Sequence, residues 1–392
     1  MIIENDINRE NQIIWNNKYS REKPYFTWIV FLLNLSSATY VLGYNQYFFY
    51  GVIGATFIAL IRTPFSKIIN ISKNKLFVIF LIFILSLLLS CLYHIEGSLF
   101  FTAGGMLCTL LLINYFRIFL DKKILIRILK LYILIQFFLL ILSIFLSEFR
   151  LIAYQGIFKN PNSTGLVAST GLLSLIPLFH LTKNKLTTKL LAFFVGCFFL
   201  FIVISTSSRT SVFISTLGII FAPFLKGSLL SRKSLTILGL MLISLLILSQ
   251  TDFFSNAIIY KFLYYAERGN NLNNRSDLWA IAFENPAFFG FGRQSAIDND
   301  IGESIYVAVL YQFGVLSLLL FLLTVFFSIY IQFKNKNALY NDRFCLIVVT
   351  LGFAIQGITS SAFGSSLYWL WIFGIGYSIY EVRLEKIDIG RF

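Results

Sequence analysis

The sequence predicts an all-α polytopic membrane protein with about twelve transmembrane helices and one long external loop. Three observations predict it. Hydrophobic stretches of roughly 20 residues, enough to cross ~30 Å of hydrocarbon, recur from end to end. Hydrophobic residues make up 57% of the 392, charged residues only 13%, and mean hydropathy is +0.78; a soluble domain carries about twice that charge. The short segments between stretches alternate between Lys/Arg-rich and Lys/Arg-poor. With the N-terminus inside, 25 of the 32 basic residues fall inside and 7 outside. That bias sets orientation.

The expected spans are Tyr25–Gly43, Tyr47–Ile61, Leu76–Tyr93, Leu99–Phe116, Ile128–Leu146, Thr164–Leu181, Leu190–Ser205, Thr210–Leu225, Leu235–Ser249, Ile305–Phe333, Phe344–Ser361 and Leu367–Tyr380. Twelve is even, so both termini share the inner side. The chain then divides into a tail (1–24), nine spans (25–249), an external loop (250–304), three spans (305–380) and a second tail (381–392). Arg62, Lys67, Lys73 and Lys75 share one inside turn, and Arg117, Lys122, Lys123, Arg127 and Lys130 the next. These read as headgroup contacts and topology anchors, with membrane lipids rather than nucleic acid as partner. The polar first 24 residues lack an apolar core and a small-residue cleavage site, so no signal peptide is expected. The four cysteines, Cys91, Cys108, Cys197 and Cys345, fall within spans and read as packing residues, not a disulfide framework or metal site. No internal repeat of the kind that builds two-halved transporters is visible.

The outside positive charge is sparse and specific. Five of the seven outside basics are arginines: Arg150, Arg209, Arg268, Arg275 and Arg293. An enzyme acting outside the membrane on an anionic substrate would be built this way. The loop Ser147–Ser163 holds Glu148, Arg150 and Tyr154, then Asn160-Pro161-Asn162-Ser163-Thr164-Gly165. Proline fixes φ, and Asn162 or Ser163 can cap the following helix. Alternatively Asn160 and Asn162 offer sugar hydroxyls donors and acceptors, beside a helix start that attracts anions. In Ser205-Thr206-Ser207-Ser208-Arg209-Thr210-Ser211, Arg209 is either a snorkelling anchor or a functional cation. The hydroxyls around it, Ser208 included, resemble the lining of a wet cavity.

In the loop Gln250–Ser304, residues 253–265 have apolar side chains at helical spacing and read as an amphipathic helix along the membrane surface. An Asn-rich turn follows, then Arg275-Ser276-Asp277-Leu278-Trp279, with Ser276 as an expected N-cap. Arg275 and Trp279 share a face if helical. Phe288-Phe289-Gly290-Phe291-Gly292-Arg293 reads as a tight glycine turn. Asp298-Asn299-Asp300-Ile301-Gly302-Glu303 superficially looks like a calcium loop, but Gly302 and Val309 stand where that pattern needs ligands. The two histidines, His94 and His180, lie at span ends far apart in sequence, so neither a metal site nor a triad is expected from them.

Asn160-Pro161-Asn162, Ser208-Arg209-Thr210, Arg275-xxx-Trp279 and Asn285-Pro286-x-Phe288-Phe289-Gly290-Phe291-Gly292 occur in that order and outside, followed by a span containing Gly314. Together they resemble the bacterial O-antigen polymerase and O-antigen ligase superfamily, most strongly over roughly 155–330. The resemblance implies a multi-pass glycosyltransferase of the bacterial inner membrane with both termini in the cytoplasm. It would serve lipopolysaccharide or polysaccharide biosynthesis, take an undecaprenyl-pyrophosphate-linked oligosaccharide as donor and need no cofactor. A flippase and a chain-length regulator would be protein partners. The ligase branch places a His shortly before the span after the long loop. Here that position is Glu303, which favours a repeat-unit polymerase. Breaking a sugar–pyrophosphate bond leaves negative charge on the leaving group. With no metal cluster in the sequence, arginines would stabilise it through planar bidentate donors. The expected catalytic residues are Glu303, Arg209 and Arg275; the expected substrate-binding residues are Arg150, Asn160, Asn162, Ser208, Trp279, Arg293 and Asp277. Glu303 would be a proton acceptor under an apolar roof of Phe288, Phe289 and Tyr306, or simply a first-turn acid at a helix start. The alternatives are a ligase transferring glycan to lipid A core, and a lipid-linked-oligosaccharide flippase. A transporter would place charges near the midplane of its spans, whereas nearly all charges here fall at span ends or in loops.

Overall fold

Backbone polar groups in apolar surroundings must pair within their own segment, which favours helix. In the computed structural model the described residues are 88% helical, with no strand among them. Those residues are 24–39, 45–63, 75–158, 160–182, 186–222, 250–252, 255–256, 263, 275–284, 286–299, 304–333, 344–359 and 365–389. Helix α1 covers residues 24–39. There follow α2 (Asn45–Arg62), α3 (Lys75–His94), α4 (Gly97–Phe119), α5 (Lys122–Leu146), a 3-10 turn (Gly156–Phe158), α6 (Pro161–Leu181), α7 (Leu186–Ser205) and α8 (Arg209–Phe221). Then come α9 (Arg275–Glu284), α10 (Gly292–Asp298), α11 (Ile305–Phe313), α12 (Val315–Phe333), a 3-10 turn (Phe344–Leu346), α13 (Ile347–Thr359) and α14 (Ser366–Ile389). By length and composition, five of these can cross a membrane: α3, α5, α6, α12 and the stretch Thr102–Phe119 of α4. Several shorter helices are apolar as well.

Two expected boundaries are corrected. The expected span Ile305–Phe333 is two helices, α11 and α12, broken at Gly314. The last helix continues through Ile389, past the expected end at Tyr380. The expected span Leu235–Ser249 and the amphipathic segment 253–265 lie wholly or almost wholly outside the described residues.

Local chemistry explains the helix starts. Asp121 caps α5, its carboxylate accepting from the Ile124 N–H at 2.7 Å. Asn160, not Asn162 or Ser163, caps α6: its side chain accepts from the Asn162 N–H at 2.8 Å, with Pro161 in the first turn. Helix α9 begins at Arg275, so Ser276 falls inside its first turn rather than before it.

Side-chain contacts fix how the helices run. The Leu120–Asp121 corner turns α4 back into α5. Ser86 bonds Ser317 at 3.0 Å and Phe83 meets Phe321, so α3 and α12 are antiparallel. Thr109 bonds Tyr368 at 3.0 Å and Phe116 faces Gly376, so α4 and α14 are parallel. Phe199 lies on Gly171 and Leu175 on Gly196, so α6 and α7 are antiparallel. Phe26 stacks on Tyr115 and Arg62 lies 3.6 Å above the Tyr25 ring. The result is a bundle with two chemically distinct ends. One collects Arg62, Lys75, Arg117, Lys122 and Lys123; we call it the basic end. The other, the loop end, collects the turn 95–96, the loop 147–160, the turn 205–208 and the segment 286–299.

Candidate functional site

The loop end contains every residue with left-handed backbone among those described: Ile95, Ala153, Ser207, Gly156, Gly290, Gly292 and Gly314. Three of these are not glycine, and each such residue costs of order 1–3 kcal/mol that surrounding structure must supply. Strained backbone of this kind concentrates at binding and catalytic sites.

The first cluster joins the loop 147–160 to the turn 205–211. The Tyr154 N–H donates to the Ser205 carbonyl at 2.9 Å, and the Ala153 N–H to Ser207 Oγ at 3.3 Å. Beneath them Ser143 Oγ bonds the Tyr154 hydroxyl at 2.9 Å and accepts from the Ile157 N–H at 3.0 Å. Thr164 Oγ1 donates to the Gln155 carbonyl. Gly165 is required by closeness: a Cβ there would stand 2.7 Å from Ser211 Oγ and 2.8 Å from Thr206 Oγ1.

The second cluster docks the segment 286–299 on the α3–α4 corner and on the α11–α12 break. Ser90 Oγ donates to the Phe289 carbonyl at 2.7 Å, and His94 Nε2 lies 3.1 Å from the same oxygen. A carbonyl only accepts, so Nε2 is the donor in this bond. Tyr93 stacks on Phe289. Glu96 Oε2 accepts from the backbone N–H groups of Arg293 and Gln294, at 2.9 and 3.2 Å. The Phe291 N–H donates to the Tyr311 carbonyl at 2.7 Å and the Val315 N–H to the Ala287 carbonyl at 3.2 Å. Gly290 and Gly314 permit this backbone-on-backbone contact. A Cβ on Gly290 would stand 2.5 Å from the Gln312 carbonyl carbon, and one on Gly314 would strike the Phe288 carbonyl.

Helix α13 links the two clusters. Its Gly352 receives Ile214 of α8, its Gly357 receives Ile305 of α11, and Ser304 Oγ donates to the Gly357 carbonyl at 3.0 Å.

The expected site residues divide accordingly. Arg209 opens α8, half-buried at the first cluster. Arg150 is exposed and paired with Glu148 at 2.9 Å. Asn160 and Asn162 are exposed, the first engaged as a cap. Ser208 is buried and donates to Ser211 Oγ at 3.1 Å. The turn around it is buried too, with Ser205 and Thr206 bonded back to the Phe201 and Val203 carbonyls. The expected wet lining is therefore a packed, internally bonded seam. Trp279 packs beside Ala282, Ala296, Val307, Leu310 and Tyr311, a role in seating α9 on α11. Asp277 is exposed. Arg293 is half-buried, and among the described residues no carboxylate pairs with its guanidinium. Arg275 begins α9, its side chain outside the description, and Glu303 lies outside the described residues. The three aromatics expected as its roof lie among the described residues, and Phe288 meets Phe289 edge-on. Phe289 turns onto Tyr93 of α3, Tyr306 donates to the Ala354 carbonyl of α13, and Phe288 is exposed.

Sequence reasoning missed Ser90, His94, Glu96 and Ser143. The available signal was that His94 and Glu96 sit two residues apart in a short turn between two apolar runs. Among the described residues no three of His, Cys, Asp and Glu gather where one metal ion could be held. No family model matches the chain, and neither a curated protein nor a solved structure matches it significantly.

Proposed function

We propose that the chain is a polysaccharide repeat-unit polymerase of the bacterial inner membrane, with twelve spans, both termini in the cytoplasm and the loop end in the periplasm. It joins undecaprenyl-pyrophosphate-linked oligosaccharides by glycosyl transfer. One observation supports the reading: the strained backbone and, among the described residues, Arg150, Arg209 and Arg293 gather at one end of the bundle, opposite the basic end. Arg293 is the arginine best placed for an anion. It is half-buried, and Glu96 holds its backbone while its guanidinium has no carboxylate partner among the described residues. A planar guanidinium suits the leaving pyrophosphate. Arg209 and Arg275 add charge from the starts of α8 and α9. His94, fixed by Phe289, is a group able to take the acceptor hydroxyl's proton; Glu303 is the carboxylate that the sequence offers for the same role.

His94 also favours a second reading. A ligase acting on lipid A core also needs a base beside the long loop, and His94 could serve as one from a different place in the chain than the ligase pattern gives it.

Deleting the gene separates the readings. A polymerase leaves single repeat units attached to lipid A core. A ligase leaves polymer on the undecaprenyl carrier, and a flippase leaves neither form outside. Reporter fusions at residues 70 and 185 should report cytoplasm and at residue 280 periplasm. A cytoplasmic signal at residue 280 would overturn every role assigned to the loop end.

A further inference from the structure

We propose that the first half of α5 is a binding site for an anionic phospholipid at the basic end of the bundle. Lys123, Arg127 and Lys130 stand at positions i, i+4 and i+7, which places them on one helix face. All three are exposed, and none has an ion-pair partner among the described residues. The nearest acid, Asp121, is occupied by the Ile124 N–H. Their location is electrostatically unfavourable twice over. Like charges three and four apart repel, and Lys123, in the first turn, also faces the positive end of the helix dipole. An external anion relieves both.

The same face continues without interruption into Leu134 and Phe138, 62% and 61% exposed. Three cations followed by an apolar stripe on a helix long and apolar enough to span a membrane match one molecule: a lipid with an anionic headgroup and acyl chains. Free phosphate would use only the cations. Helix α5 is about 37 Å long against a hydrocarbon layer of about 30 Å, so its first turns project into the headgroups. Lys130, about 12 Å along the axis, snorkels back to join them.

The site is independent of the proposed enzymatic reaction, and its test needs no activity. The full-length protein is purified in mild detergent and mixed with equal amounts of phosphatidylglycerol and phosphatidylcholine. Retained lipid is counted by native mass spectrometry. Each basic residue near an anionic surface contributes about fivefold, so three contribute roughly 100-fold preference. The wild type is expected to retain phosphatidylglycerol. Lys123→Gln with Arg127→Gln and Lys130→Gln is expected to lose it, and Lys75→Gln at the same end to keep it. Where the triple variant fails to insert, Arg127→Gln alone should still cut retention about fivefold. Equal retention by wild type and triple variant overturns the proposal. So does a rise in retention when residues 1–22 are removed, which would make that tail the occupant. Displacement of the lipid by inorganic phosphate alone would identify a headgroup-only anion site and also overturn it.

Discussion

Gly314→Ala should destabilise the protein by about 2–5 kcal/mol, from a Cβ in left-handed backbone together with an overpacked contact. The residue has φ +92°, and its missing side chain is the space that the Phe288 carbonyl fills. The added methyl also stands 2.6 Å from the Gly290 nitrogen. Both neighbours are backbone, so neither can swing away. Relief requires lifting the segment 286–292 off α11, which breaks the bonds from Ser90, His94 and Phe291. The measurement is the unfolding midpoint of detergent-purified protein, together with protease cleavage between residues 284 and 304. Gly104→Ala is the control. It lies in α4 with no atom within 4 Å of an added Cβ and should be neutral or slightly stabilising. Equal stability of the two variants would remove the interlock from the account of the fold.

Arg293→Ala should lower polymer synthesis roughly 10- to 100-fold, the loss of one charge-assisted contact to the leaving pyrophosphate. Arg293→Lys should recover little, because an ammonium keeps the charge but not the fork. The protein should remain folded, since the bond that seats this segment uses the Arg293 backbone rather than its side chain. His94→Gln supplies the companion measurement. Its amide can still donate to the Phe289 carbonyl but offers no basic nitrogen. Polymerisation is expected to fall with expression and stability held. Imidazole added to His94→Gly should restore part of it. Full-length polymer from Arg293→Ala at normal expression would remove Arg293 from the mechanism. Wild-type polymer from His94→Gln would leave Glu303 as the proton acceptor.

The helices were legible because their apolar runs are long and stop at polar residues: the expected ends Leu146, Leu181 and Ser205 are ends that the structure repeats, and α3 starts at Lys75, one residue before the expected Leu76. The break at Gly314 was not legible. A lone glycine in an apolar run is common in membrane helices, and only the Phe288 carbonyl, distant in sequence, gives this one its meaning. Glu96 was invisible for the same reason, its partners being 197 and 198 residues away. The turn 205–208 misled in the other direction. Its hydroxyls read as solvent-lining, yet a Ser or Thr near a helix end can bond back to a carbonyl three or four residues earlier and become buried without water. Ser205 and Thr206 do this.

The docking of the segment 286–299 also sets a clock on biogenesis. Its bonds to Ser90, His94 and Glu96 join residues 195 to 199 positions apart. At roughly 5–20 residues per second of synthesis, the α3–α4 corner waits about 10–40 s for its partner to be made. During that interval Glu96 has no N–H groups of residues 293 and 294 to bind, and the corner stands open to chaperones and proteases. Nascent chains stopped before residue 286 would carry the first cluster of the loop end but not the second, and would lack α12 and α14. Quality control that reads the loop end would therefore distinguish finished molecules from truncated ones.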